Sequence, residues 1–576
     1  MSDDSSFNLI DRQWIPVTMR DDGRECEMSI AQVLEDADSI LQIEGDMPLQ
    51  RFTITRFLLA IMYGTFNHDF VTKSGAHVPF GERLWRKLFQ EGSHGEFARK
   101  RISSYLQRYH DRFDLFDSRQ PFYQVADLHT SNNTVSGLEK LILDMPNGEP
   151  FFTTRIGEGL STLDAAEAAR WLITAQAFDP SGIKSGAVGD DRVTNNKGFP
   201  IGTAWCGNLG GFLVEGESLW QTLMLNFVSE EVLGNTYPGI TWANDKPAWE
   251  RPALTSAIEV GYDQSKESAG ATRYFHGPAT LLTWQSRRIR LSHQGEVVDG
   301  VVLANGDRIK PQNAYCYEMM SGWRRSEAQK KKLGDIVYMP RLHDPARALW
   351  RGLPLLTAAD SDGASVNGPA DYLRPFVLDW LTKLKISDVP VRLHAYGVSY
   401  GPQEAVVDST IDDALDLNLV VLTTTNPHMG QMIKSAVDMA DQGVSAFRYF
   451  AATVAQAQGL DVSAPRKNSG DIAYSAFDRA FRDWVRQIDS ETDLTSARDA
   501  WSEQAKSLLL RLERKYMDRV SPRGMVGRTI PRKDSRTGVV STRHVSAAAA
   551  DMWFRKQLNR IFVGDGGYVE SATEGR

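Results

Sequence analysis

Beyond about Thr425 the apolar residues recur at every third or fourth position, and that change of period restricts what this part of the chain can become. Met432, Ala436, Ala440, Val444 and Phe447 form one such series, and Tyr474, Phe477, Phe481, Trp484 and Ile488 a second. Trp501, Ala505, Leu508 and Leu512 form a third, and Ala547, Ala550, Phe554, Leu558 and Ile561 a fourth. Each spacing places an apolar stripe on one helix face, and a lone amphipathic helix is marginal in water, so the stripes must bury one another. Residues 426–576 are therefore expected to form an all-α C-terminal four-helix bundle. The aromatic side chains in the stripes are read as core rather than as a platform for stacked bases.

Residues 1–425 are patterned differently. Short alternating runs mix with helical ones, and Gly, Pro and Asn recur between them, which predicts a large irregular α+β domain. Val389, Val391, Leu393 and Ala395 alternate with Asp388, Pro390, Arg392 and His394, as in a strand with one face buried and the other turned to water or a partner. A chain of 576 residues is too long for one ordinary core, so two or more packed units are expected.

The longest apolar run, Phe57 to Tyr63, is far short of the roughly 20 residues that cross a bilayer. The acidic N-terminus lacks the basic and apolar regions of a signal peptide, so neither export nor a membrane partner is expected. Cys26, Cys206 and Cys316 stand singly and far apart, which gives neither a disulfide framework nor a thiolate zinc site. A reducing cytoplasm fits that usage, with no metal and no cofactor.

The net charge of -8 argues against a protein that coats nucleic acid with its whole surface, because phosphate binding rests on Lys and Arg and the counterions they release. Any such contact must be local. Arg511 to His544 qualifies, with ten Lys/Arg against three Asp/Glu. Its Arg523, Arg528, Arg532, Lys533 and Arg536 are candidates for guiding a nucleic-acid strand; the plain alternative is a solvated loop between helices.

Catalytic signals are sparse. Gly397-Val398-Ser399-Tyr400-Gly401 matches the G-x-S-x-G nucleophile elbow, but with 46 glycines in the chain the pattern alone is weak. An elbow serine follows a strand buried on both faces, whereas the preceding segment alternates. His428 and His544 are nominal bases without an oxyanion-hole motif, and His343-Asp344 reads as a loop histidine with a local partner. There is no P-loop. A serine hydrolase using Ser399 remains one alternative, and a general RNA-binding scaffold another.

Several segments, in order, carry a family resemblance. FNLIDRQWIPV (Phe7 to Val17), QPFYQV (Gln120 to Val125), VSGLEKLI (Val135 to Ile142) and LWQTLMLNF (Leu219 to Phe227) resemble the CasA family, the large subunit of type I-E CRISPR Cascade complexes. The resemblance implies a non-catalytic recognition protein beside a guide RNA. It would test incoming double-stranded DNA for a short protospacer-adjacent motif (PAM), start strand separation and R-loop formation, and help recruit a helicase-nuclease. The implied protein partners are that nuclease, the small-subunit dimer and the backbone subunits.

The resemblance also points to residues. The family's wedge glutamine, on a hairpin after a strand, corresponds to Gln403 in YGVSYGPQEAVV; Gly401-Pro402 stands where an asparagine is expected, and Tyr400 offers a flat face for a displaced base. A glycine-rich loop that lets backbone approach the minor groove corresponds to FDPSGIKSGAVGDD, with Gly182, Lys184, Ser185 and Gly186; NNKGFPIGTAWCGNLGG competes for that role. The family's groove-entering lysine falls on Lys330, Lys331 or Lys332, of which Lys330 is preferred. The loop that meets the guide-RNA handle and neighbouring subunits corresponds to FFTTRIGEGLST, with Phe152, Thr153, Thr154 and Arg155. The Cys-rich metal knuckle of some relatives has no counterpart, since only Cys316 lies nearby.

Overall fold

Helix α1 (Pro48–Phe66) contains the apolar run Phe57 to Tyr63, and nearly all its residues are buried. A helix that is apolar all round belongs in an interior, where neighbours cover every side. The buried charge within it, Arg56, forks onto Glu318 at 2.8 and 2.9 Å. The indole of Trp205 donates to the same carboxylate at 2.9 Å, and the Met320 N–H at 3.2 Å. Burial pushes the Glu318 carboxyl up, but the Arg56 charge and these hydrogen bonds outweigh it and hold the group below its ordinary range.

The structure is a computed structural model that describes residues 6–67, 80–145, 161–234, 237, 239–259, 276–358, 364–365, 368–533 and 540–562. It divides into two units, Met1–Arg347 with Ser361–Ala414, and Ala348–Asp360 with Leu415–Arg576. No helix among the described residues is long and apolar enough to cross a membrane.

The first unit is α+β. Around α1 lie α2 (Ala165–Phe178) and a series of small antiparallel sheets. Strands β1 (Lys184–Ser185) and β2 (Lys197–Gly198) form a short ribbon; Asn195 and Asn196, both at positive φ, turn the chain from Thr194 back to Lys197 at the start of β2. Strand β3 (Gly211–Glu215) follows, and β4 (Arg287–Gln294) pairs with β5 (Val297–Asn305). A short helix, α3 (Glu327–Leu333), leads to β6 (Pro390–Tyr400), which lies between β3 and β7 (Val407–Asn418). The β6–β3 register sets Arg392 opposite Glu215 and Tyr396 opposite Gly211.

The alternation read along β6 holds only at its start. From Leu393 to Val398 the strand is buried on both faces, and His394, expected to face outward, is 6% exposed. The physical reason is a pair of carboxylates, Glu215 at 3.0 Å from Nδ1 and Asp412 at 2.5 Å from Nε2, which compensate a charge inside the sheet.

The second unit contains the four expected helices, α4 (Pro427–Gln458), α5 (Ser463–Val485), α6 (Leu494–Met517) and, after the short α7 (Pro522–Val526), α8 (Ala547–Phe562). Of the aromatic residues in the stripes, Phe447, Phe477, Phe481, Trp484, Trp501 and Phe554 are core, and Tyr474 is half-buried. Trp501 is fully buried among Phe477, Phe481 and Trp484 at ring separations of 5.9, 5.2 and 5.5 Å, and Phe554 meets Phe447 and Phe450 at 5.7 and 5.1 Å. Between α7 and α8 runs an antiparallel hairpin, β8 (Arg528–Lys533) and β9 (Val540–Val545), so the basic stretch is largely strand and helix rather than loop. Pro531 is tolerated there because a two-stranded ribbon has two free edges. The segment Ala348–Asp360 completes this core. Trp350 stacks on Phe481 at 4.6 Å and its indole donates to Asp478, while the Arg351 guanidinium lies over the Tyr474 ring at 3.7 Å.

Candidate nucleic-acid interface

Strand β6 ends at Tyr400 and the chain turns through Gly401-Pro402-Gln403-Glu404 before β7 returns. The Gly401 N–H donates to the Val406 carbonyl, and the Glu404 N–H to the Gly401 carbonyl, each at 2.9 Å. Pro402, Gln403 and Glu404 are exposed at the tip. Gln403 (φ 57°, ψ 18°) and Glu404 (φ 56°) both lie in the left-handed region, which costs an L-residue about 1–2 kcal/mol. Such strain persists where surrounding structure enforces it, often at functional positions.

The glycine-rich loop meets this turn. The Ser181 N–H donates to the Glu404 carbonyl at 2.8 Å, and the Tyr400 hydroxyl donates to the Phe178 carbonyl at 2.7 Å. Two of the elements expected at DNA thus adjoin. Tyr400 is half-buried with its hydroxyl committed, so it anchors the turn rather than offering a free stacking face, and burial pushes its phenol well above the ordinary range.

The glycines of the loop differ in role. Gly182 has φ 128° and open space where a side chain would stand, so it supplies both the backbone freedom and the bare surface expected. At Gly186 a Cβ would come within 2.4 Å of the Asn196 backbone, so this glycine serves the close approach of the two ribbon strands. Ser185 is half-buried in β1. The Lys184 ammonium reaches inward to Asp179 at 2.6 Å, with 11% of its side chain exposed. Burial lowers its pKa, against the pull of Asp179, and the nearby Arg287 charge lowers it further. Lys184 was expected in a DNA-facing loop, and its ammonium has an internal partner there. What the loop shows outward is Ile183, 58% exposed, and Val188, 44% exposed.

The competing stretch 195–211 is exposed at its start, where Phe199 faces outward, and largely interior from residue 203 on, with Ala204, Trp205 and Cys206 buried. Its Ala204 N–H donates to the Asp179 carbonyl at 2.9 Å, so it underlies the first loop. Sequence reading missed Arg287, Asp179 and Ser181. Arg287 is buried; the signal that existed was an arginine pair, Arg287-Arg288, inside an otherwise strand-like run.

Lys330, Lys331 and Lys332 are all exposed on α3, which Ser326 caps and Gly334 ends at φ 75°. Arg523 is exposed on α7. Arg528 opens β8, with its guanidinium against Gly459 at the C-terminus of α4, where the helix dipole favours a cation. Arg532 and Lys533 lie in β8. Phe152, Thr153, Thr154, Arg155 and Arg536 lie outside the described residues.

The serine of Gly397–Gly401 is not on an elbow. Ser399 lies within β6 in an antiparallel sheet, whereas an elbow is a sharp strand-to-helix turn. The strand before Ser399 is buried on both faces rather than alternating, so it is the missing strand-to-helix turn that rules out an elbow. His343 is half-buried with Nε2 at 2.9 Å from the Gly211 carbonyl, an acceptor that requires the proton on that nitrogen. Among the described residues no group of three or more His, Cys, Asp or Glu is placed to hold a metal ion.

A mixed α+β unit with an exposed hairpin turn, followed by a helical bundle, is the fold of a class of CRISPR-associated proteins. A Thermobifida fusca Cse1 crystal structure matches with a TM-score of 0.83 at 38% identity, covering 97% of this chain and 98% of that one. A chain from a CRISPR RNA-guided surveillance complex shares the fold, with a TM-score of 0.66 at 20% identity over 96% and 99% of the two chains. The CRISPR-associated protein CasA/Cse1 of Thermus thermophilus is 32% identical over 349 residues, 60% of this chain and 59% of that relative's length. The profile of CRISPR-associated protein Cse1 matches residues 8–512, and the chain belongs to that family.

Proposed function

We propose that this chain is the non-catalytic large subunit of a type I-E CRISPR surveillance complex, and that its first unit inspects target duplex for the PAM and starts strand separation. In such assemblies base pairing to RNA reads the target, and protein need read only a short flanking duplex. The observation that carries the reading is the Ser181–Glu404 hydrogen bond, which sets the glycine-rich loop beside the Gln403 turn. A neutral amide at an exposed tip has both a donor and an acceptor for base edges. Backbone at Gly182 has room to approach the minor groove, whose degenerate pattern leads to a small set of tolerated PAMs. A turn inserted beside the first target pair offsets part of the few kcal/mol of unstacking with new contacts.

In the same reading Lys330 enters the groove, and Phe152 to Arg155 meet the guide-RNA handle and neighbouring subunits. The bundle packs against the small-subunit dimer and the basic residues Arg523, Arg528, Arg532, Lys533 and Arg536 guide one DNA strand. The backbone subunits hold the chain in the complex, the helicase-nuclease docks later, and the setting is cytoplasmic. The test is R-loop formation by the assembled complex. Gln403→Ala is expected to slow it on intact duplex while sparing a target already unpaired beside the PAM, and equal slowing on both substrates rejects the wedge.

A further inference from the structure

Beneath the two surface elements lies a buried ion pair with more connections than charge neutrality requires. Arg287 donates from Nε to Asp179 Oδ2 at 2.5 Å and from Nη1 to the Ser286 carbonyl at 3.1 Å. Its Nη2 faces the carbonyls of Asp179 at 3.3 Å, Pro180 at 3.1 Å and Gly202 at 2.9 Å. One rigid guanidinium fork therefore gathers the backbone at 179–180, at 202 and at 286. The residues flanking Asp179-Pro180 are those that hold the turn: the Phe178 carbonyl accepts from the Tyr400 hydroxyl, and the Ser181 N–H donates to Glu404.

We propose that Arg287, acting through Asp179 and Pro180, is the positioning residue that joins the glycine-rich loop and the Gln403 turn into one DNA-facing body. This rests on the wedge reading above and adds to it an interior residue that touches no DNA. Asp179 Oδ2 is shared by two cations, since Lys184 Nζ also sits on it at 2.6 Å. Removing the Arg287 charge leaves Asp179 paired with Lys184, so Arg287→Gln unties the carbonyls without orphaning a buried anion.

The test uses the full chain and the assembled complex. In the isolated chain, amide exchange at Ser181 and Ala204 is expected to accelerate in Arg287→Gln, and at Ser181 in Tyr400→Phe, an isosteric change that removes only the hydroxyl. Unchanged protection at both amides in both variants overturns the proposal whatever the DNA assay gives. In the complex, Arg287→Gln is expected to slow R-loop formation on duplex about tenfold, the equivalent of one hydrogen bond's net contribution, while sparing a pre-opened target. Arg287→Lys, which keeps the charge but not the fork, remains slow. The double variant with Gln403→Ala is expected to be within about twofold of Gln403→Ala alone, because both changes disable the same body. Slowing on both substrates alike, rescue by lysine, or multiplying effects overturns the coupling. A Gln403→Ala variant that fails to distinguish the substrates sinks the wedge reading, and exchange at Ser181 still reports on the tie itself.

Discussion

Replacing Gln403 with glycine separates what the turn does for the fold from what its side chain does for DNA. Gln403 holds φ 57° with its side chain exposed, so an L-residue there carries about 1–2 kcal/mol of left-handed strain that glycine does not. Against that relief stands the larger freedom of glycine in the unfolded chain, about 0.5–1 kcal/mol. The two partly cancel, so Gln403→Gly is expected to leave unfolding free energy unchanged or raised by up to about 1.5 kcal/mol. The same change removes every side-chain atom that would fill the opening between base pairs. If those contacts offset about 1–2 kcal/mol of unstacking, R-loop formation on duplex slows by roughly 5–30-fold. Urea unfolding of the isolated chain gives the first quantity, and single-turnover R-loop formation by the assembled complex gives the second. A destabilisation above about 1 kcal/mol refutes the strain argument. Wild-type opening by a stable Gln403→Gly variant refutes the role of the side chain.

Other outcomes follow from the same geometry. Arg523→Ala with Arg528→Ala is expected to weaken target binding alike for all PAMs and lower the salt slope by about 1 for each phosphate no longer neutralised; an unchanged slope leaves the hairpin no part in holding the strand. Glu318→Gln leaves Arg56 buried without its counter-charge and is expected to cost about 3–5 kcal/mol in chemical denaturation, with a neutral result refuting the pairing argument. At His394 burial lowers the pKa, but the hydrogen bonds to Asp412 and Glu215 outweigh it and raise the group above its ordinary value. Its stabilising contribution is therefore complete below about pH 6.5, the unfolded value, and is lost as pH rises through the folded value. The urea midpoint of the native chain should fall over that window relative to His394→Gln, and parallel pH curves would contradict the assignment. A fluorophosphonate probe is expected to leave Ser399 unlabelled; labelling lost on Ser399→Ala would restore the hydrolase reading.

The bundle was legible because its period is local: Phe477, Phe481 and Trp484 declare a helix face within one segment, and the face is buried. The β8–β9 hairpin was hidden because arginines and Pro531 dilute a two-residue alternation that no core enforces. At the candidate interface, Gln403 was reached through the family resemblance, by its place on a turn after a strand, with Gly401-Pro402 a departure from the expected asparagine. The supports of that turn were not, because they pair over long separations: Arg287 with Asp179, and Ser181 with Glu404. Lys184 illustrates the limit most clearly. Nothing beside it in the sequence distinguishes a lysine that meets water from one that folds back onto a buried carboxylate.

The excursion of Ala348–Asp360 into the second unit means that the backbone passes between the two bodies three times. A protease nick or an engineered cut after Ala414 therefore does not release an intact C-terminal fragment. The piece beginning at Leu415 would lack Trp350, leaving Phe481 without its stacked neighbour, and would expose greasy surface to other chains. Anyone dividing this polypeptide for separate expression must graft that short strap onto the helical half.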